Sequence, residues 1–229
     1  MNYFETYLNK EDSSLSYKYY HSLRVKDNME LLAKLQNLPY KDIELAGCIG
    51  LLHDIGKLDN PKKDEDHGDY GVSIIKEKEL LLKHNIDESD YEVVYKSIKN
   101  HNKISINKNL SNRELLFTKM LRDADKLDII YSLGNEKIKP TLIQDDSEIS
   151  KEVKTSFYNN ELIKRELCKN KNDHLLTVFS YIFDINNGVT LKIIKKYQYY
   201  DKIFERIKSK DIFKPYLDYI NNYLKERTD

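Results

Sequence analysis

Residues 45–58 read LAGCIGLLHDIGKL. The run from Leu45 to Leu52 is apolar nearly all round, the pattern of a helix buried at the centre of a helical bundle. His53 and Asp54 follow it directly, with Gly56 and Lys57 close behind. Burying two titratable groups at the end of a core helix is costly unless a proton, a charge or a metal pairs with them. Asp42 stands where an N-cap would start this helix. Gly56 and Pro61 are expected to break it.

Outward from this stretch the helical period dominates. His21, Val25, Leu32 and Leu35 share one face of a helix over about residues 16–37, which Pro39 ends. A third helix runs from about His67 to Lys83. Ser89 with Glu92 reads as a capping box for a fourth, ending near His101. Ser111 with Glu114 reads as another, opening the helix RELLFTKMLRDADKLDIIYSL, which Gly134 should stop. Further amphipathic helices are expected over 147–168, 174–186, 189–208 and 211–226. Their apolar faces carry Val153, Phe157, Phe179, Ile182, Ile193, Phe204 and Leu217. NGVTLKII reads more easily as a helix start than as a short strand.

The expected fold is therefore all-α. With only 7 Gly and 4 Pro, a turn-rich β architecture is disfavoured. The IKPTLIQDD stretch is the candidate junction. It separates a helical core, residues 1–140, from C-terminal helices, residues 141–229, packed on that core as one compact domain.

Lys+Arg and Asp+Glu both number 38, so the formal net charge is zero. No global basic field points to nucleic acid or an anionic membrane. No apolar run reaches the roughly 20 residues of a membrane span. The N-terminus lacks the basic and apolar regions of a signal peptide. Cys48 and Cys168 form no spacing motif. A soluble, cytoplasmic protein is the expectation, with no membrane partner.

Four of the six histidines and two aspartates look inward from different helices: His21, His53, Asp54, His67, His101 and Asp125. His84 and His174 fall at helix ends and read as structural. Convergent imidazoles and carboxylates suit divalent Fe, Mn, Co, Ni or Zn better than Ca, and the absence of thiolate argues against a Cys-rich structural zinc site. Six candidates exceed what one open metal site needs and match two ions sharing a carboxylate. Asp54, beside His53, can face both. Five of the seven glycines lie between residues 47 and 71, where close helix approach would be needed.

His21, the doublet His53-Asp54, and Asp125 in RDADKLD resemble the H…HD…D signature of the HD-domain superfamily of metal-dependent phosphohydrolases. HDIGK, DHGDYG, NHNK and RDADKLD together resemble stand-alone bacterial HD proteins over about residues 18–133. His67 and His101 resemble the two-metal branch, which includes cyclic-di-GMP phosphodiesterases and diadenosine-tetraphosphate hydrolases. The GYP block of the former is absent from this sequence, which disfavours cyclic-di-GMP as substrate.

The resemblance implies an all-α HD-domain bundle with the site at its centre. His21, His53, Asp54 and Asp125 would hold one ion, and His67, His101 and the bridging Asp54 a second. The ions would be divalent: Mn, Fe, Co, Ni or Mg. Asp54 and Lys57 are the candidate catalytic residues. Lys57, Arg24, Lys103 and Arg122 are candidate contacts for substrate phosphate. The implied reaction is hydrolysis of a phosphate ester or anhydride of a nucleotide, or of a related small phosphorylated molecule, by a metal-activated hydroxide. A mixed-valent di-iron oxygenase and a nucleotide sensor without turnover are the competing readings. A homodimer is allowed.

Overall fold

The computed structural model describes residues 13–60, 67–135 and 144–228. Pro61 and most of the IKPTLIQDD junction lie outside them. The described chain is helical, with no strand among these residues. It divides into two compact units, one up to Asp125 and one from Lys126, and the division falls inside a single long helix.

The first unit is built from α1 (Ser13–Leu35), α2 (Tyr40–Leu52), α3 (Ile55–Asp59), α4 (His67–Glu77), α5 (Leu80–Lys83), α6 (Tyr91–His101) and the first part of α7 (Asn112–Asn135). α1 and α2 bury Val25, Met29, Leu32 and Ala33 with Leu45, Ala46, Ile49 and Leu52. Leu35, expected on the same buried face, is 48% exposed because it lies in the last turn of α1. Pro39 precedes α2, and Asp42 sits in its first turn without capping it. Instead the Asp42 carboxylate accepts two hydrogen bonds from Arg113, at 2.9 Å each, and Arg113 also reaches Asp90 at 2.9 Å. α7 is thereby fastened to the starts of α2 and α6.

Gly56 does not break the chain. The backbone turns at His53-Asp54 and then resumes as α3, which ends at Asp59 with Asn60 as its C-cap. What Gly56 provides is proximity. A Cβ there would lie 2.2 Å from the carbonyl oxygen of His67, so the start of α4 rests directly on α3. Gly68 acts alike on the other side, where a Cβ would lie 2.7 Å from the Ile98 carbonyl oxygen of α6. Backbone approach this close excludes any side chain at either position.

The expected third helix breaks in two because Glu79 adopts φ 51°, ending α4 before α5 begins. The Ser89 box does not form: Ser89 lies in a 3-10 turn and Asp90 precedes α6 without a side-chain cap. The Ser111 box does. Ser111 N–H donates to Glu114 Oε2 at 2.7 Å, and Glu114 N–H donates to Ser111 Oγ at 3.3 Å.

The second unit continues α7 and adds α8 (Lys151–Tyr158), α9 (Lys171–Ser180), α10 (Gly188–Lys196), α11 (Tyr199–Glu205) and α12 (Lys210–Thr228). Leu127, Ile130, Phe157, Phe179, Ile203, Phe213 and Ile220 belong to its core, with Ile193 and Phe204 partly buried against it. The expected helix 147–168 stops at Tyr158, where Asn160 takes φ 60°. The expected helix 189–208 splits at Gln198, φ 52°. Asn187 accepts a hydrogen bond from Val189 N–H at 3.1 Å, so NGVTLKII starts a helix. α7 is still helical at Gly134 and at Asn135, the last described residue of this segment; a Cβ at Gly134 would touch Lys202 Cβ at 3.1 Å, so Gly134 admits α11. No helix among the described residues is long and apolar enough to cross a membrane.

Candidate metal centre

The first unit brings all six candidate ligands together. His21 comes from the middle of α1, His53 and Asp54 from the turn after α2, His67 from the first residue of α4, His101 from the last residue of α6, and Asp125 from α7. The four histidines are between 0 and 6% exposed, whereas His84 and His174 are exposed. Neighbouring rings meet edge to face, with centroids 5.2 Å apart for His21–His53 and His53–His101, and 4.9 Å for His67–His101.

The two oxygens of Asp54 face two different sets of side chains. Oδ2 lies 3.9 Å from His21 Nε2, 3.7 Å from His53 Nε2 and 3.3 Å from Lys57 Nζ. Oδ1 lies 3.1 Å from His67 Nε2 and 3.5 Å from His101 Nε2. Asp125 Oδ1 completes the first set, 3.1 Å from His21 Nε2 and 3.8 Å from His53 Nε2. Ligand atoms of His21, His53 and Asp125 all lie within 4.8 Å of one another, as do those of His53, Asp54 and His101.

Local hydrogen bonds fix which ring nitrogens point inward as lone pairs. His53 Nδ1 is 2.7 Å from the Gly50 carbonyl oxygen, and His101 Nδ1 is 2.6 Å from that of Ile98. A carbonyl only accepts, so in each neutral ring Nδ1 carries the proton and Nε2 presents a lone pair to the centre. His53 Nε2 and Asp54 Oδ1 are buried and make no hydrogen bond. Buried polar atoms of this kind call for an explanation. A cation among these donors satisfies both, so the residues present fit a divalent ion.

The electrostatics agree with that. Burial lowers the His53 imidazole to about 4, against the pull of Asp54 and Asp125, so the ring is neutral. Burial also lowers His101, opposed by Asp54. Burial works to raise Asp54, but Lys57 and the surrounding imidazoles outweigh it and hold the carboxyl well below the usual range. Burial also works to raise Asp125, but His21 and His53 together outweigh it and hold the carboxyl below the usual range. Neutral imidazole and ionised carboxylate are the forms that ligate metals.

The candidate phosphate contacts fare differently. Lys57, one turn beyond Asp54, keeps its ammonium at the centre with the side chain 23% exposed. Arg24 on α1 lies against Tyr17, 5.9 Å from the ring centroid. Lys103 is ion-paired with Asp69 at 3.0 Å. Arg122 is buried, and its Nη1 donates to the carbonyls of Asn100, His101 and Lys103 at 2.8, 3.1 and 2.6 Å. These bonds support the chain around His101. Asn102, not singled out in the sequence, has Nδ2 3.3 Å from His67 Nδ1. A cleft of about 500 Å³ elsewhere in this unit is lined by Lys26, Lys41, Leu51 and His84 among others, and none of the four buried histidines borders it.

Residues 19–130 match the family model of the HD domain. These residues are an HD domain. The HD domain thus holds every residue of the centre, from His21 to Asp125. Neither the curated proteins nor the solved structures yield a match.

Proposed function

We propose that this HD protein is a metal-dependent phosphohydrolase that holds two divalent ions and cleaves a phosphate ester or anhydride of a nucleotide or related small molecule. The observation that carries the reading is the division of the Asp54 carboxylate, Oδ2 toward His21 and His53, Oδ1 toward His67 and His101. That is the arrangement of a bridging ligand. His21, His53 and Asp125 would hold one ion with it, and His67 and His101 the other. The donor set, imidazole and carboxylate without thiolate, suits Mn, Fe, Co or Ni.

Divalent ions held there would supply Lewis acidity and lower the pKa of bound water to about 7. The chain does the rest. The buried walls exclude bulk water and strengthen each charge interaction inside. Lys57 places a compact cation beside Asp54, where it would orient a non-bridging phosphate oxygen and offset charge building on it. We assign Arg24 and Lys103 to the substrate's approach.

Elemental analysis of purified protein tests the reading, followed by a phosphate-ester panel with Mn, Fe, Co, Ni and Mg. Close to two ions per chain are expected, falling to one in His67→Ala. Asp54→Ala should lose both ions and turnover together; full hydrolysis by metal-free Asp54→Ala would refute the proposal. Oxygen consumption by iron-loaded protein, with no hydrolysis, would instead favour the oxygenase reading.

A further inference from the structure

We propose that Tyr131, Tyr197 and Tyr199 form a stacking platform for single-stranded nucleic acid, with Lys196 and Lys202 as its phosphate contacts. This surface belongs to the second unit, and its assignment does not depend on the function proposed for the metal centre. Residues 195–202 read KKYQYYDK. Of the three tyrosines here, only Tyr200 serves the core, at 1% exposed. Tyr199 is half-buried and Tyr197 is 47% exposed, as is Tyr131 of α7 at 37%. Helix α10 ends at Lys196, Gln198 takes φ 52°, and α11 starts at Tyr199. The left-handed region is disfavoured for a residue with a Cβ. Across this turn the rings of Tyr197 and Tyr199 stand nearly parallel, 15° between planes and 5.7 Å between centroids. Tyr131 meets Tyr199 edge to face at 5.8 Å. Gly134 permits that approach, since a Cβ there would lie 3.3 Å from the Tyr199 carbonyl oxygen.

Cations accompany the same rings. Lys196 Nζ lies 5.3 Å from the Tyr197 centroid, and Lys202 Nζ 5.5 Å from that of Tyr199. Both lysines are exposed. The zero net charge of the chain hides a local excess. Residues 188–210 carry six lysines and one arginine against one aspartate and one glutamate, leaving +5. Aromatic faces beside cations match bases and the phosphates that join them. The charge is spread over α10, α11 and the start of α12, which suits a chain of phosphates and not a single one. A duplex keeps its bases stacked on one another, so only a single strand can offer them to these rings. An anionic membrane would also attract the lysines, but insertion calls for Trp, Phe or Leu on the apolar face. Among the described residues of the second unit, every exposed large hydrophobic side chain is a tyrosine.

Fluorescence anisotropy of the full chain with labelled oligo-dT of about 12 nucleotides tests the proposal. Wild type should bind at about 1–100 μM in low salt, and the same oligonucleotide annealed to its complement should bind more weakly. Tyr197→Ala should weaken binding about 5–150-fold, the range for one lost base stack. Tyr197→Phe keeps the ring and should bind as wild type does. Lys196→Met combined with Lys202→Met should lower the slope of log affinity against log salt by about 1.4, two phosphate contacts fewer. Tyr197 and both lysines are exposed, so these changes leave the core intact. Wild-type affinity in Tyr197→Ala would overturn the proposal, as would an unchanged salt slope in the double lysine variant or equal affinity for the duplex. Displacement of the strand by dTMP at equal nucleotide concentration would mark a mononucleotide site instead. Capture by phosphatidylserine vesicles with no strand bound would mark a membrane contact. Either of these results also overturns the proposal.

Discussion

Replacing Gly56 by alanine tests how the centre is held together. A Cβ at that position would sit 2.2 Å from the His67 carbonyl oxygen and 2.9 Å from Gly71 N, both backbone atoms, where ordinary contact begins at 3.4 Å. Backbone cannot swing aside as a long side chain can, so α4 must move off α3 by about 1.2 Å. Overpacking of this kind costs about 1–3 kcal/mol. The larger effect falls on His67, which starts α4 and whose Nε2 is 3.1 Å from Asp54 Oδ1. Metal–ligand distances tolerate only about 0.2 Å, and a misplacement near 1 Å can cost on the order of 100-fold at an active site. Gly56→Ala should therefore melt earlier and lose the ion proposed at His67 and His101, while the ion proposed at His21, His53 and Asp125 stays. Gly188→Ala is the control, because a Cβ there meets nothing within 4 Å. Thermal melts and metal content by mass spectrometry read both effects. Wild-type melting and metal content in Gly56→Ala would refute the argument that this approach positions His67.

Three further substitutions probe the frame. Arg122→Met keeps apolar volume but leaves the carbonyls of Asn100, His101 and Lys103 without their donor, and should cost about 3–5 kcal/mol in urea unfolding. Ser111→Ala removes one arm of the formed capping box and should cost about 1 kcal/mol; no change in the unfolding midpoint would count against the box. Asp173→Asn turns an amide toward the Ser150 and Lys169 donors that the buried carboxylate now accepts, and should cost about 2–3 kcal/mol in the same assay.

The ligand candidates were legible because each is polar where the apolar period demands otherwise. His21 shares a face with Val25, and His53 and Asp54 follow an unbroken apolar run, so the sequence itself marks them as buried. The helix breaks were less visible. Asn160 at φ 60° is a residue type that tolerates the left-handed region, but Glu79 and Gln198 enter it at φ 51° and 52° with no local signal. Those breaks are imposed by packing, which single-sequence periodicity does not contain. Arg122 and Asn102 were obscured for a different reason. Whether a cation meets a phosphate or a row of carbonyls depends on residues about twenty positions away, and whether an amide meets solvent or a ring nitrogen depends on His67, 35 positions earlier.

The histidines at helix ends show how a local rule can be followed by an unexpected route. A histidine closing a helix is favoured as a cation by the dipole, and His101 closes α6. Burial removes that charge and lowers its affinity for protons. What the helix end supplies is an acceptor. The last four carbonyls of a helix lack intrahelical partners. Ile98 O and Gly50 O belong to the last turns of α6 and α2. Each accepts from the Nδ1–H of the histidine three residues on, at 2.6 and 2.7 Å. The helix end thus satisfies its own carbonyl, fixes the tautomer and turns the Nε2 lone pair inward in one step. His21 and Asp125 lie within α1 and α7 and approach one another across 3.1 Å. In the proposed function, the positive charge that the dipole favours at these helix ends would come from an ion bound through Nε2, and not from the imidazole itself.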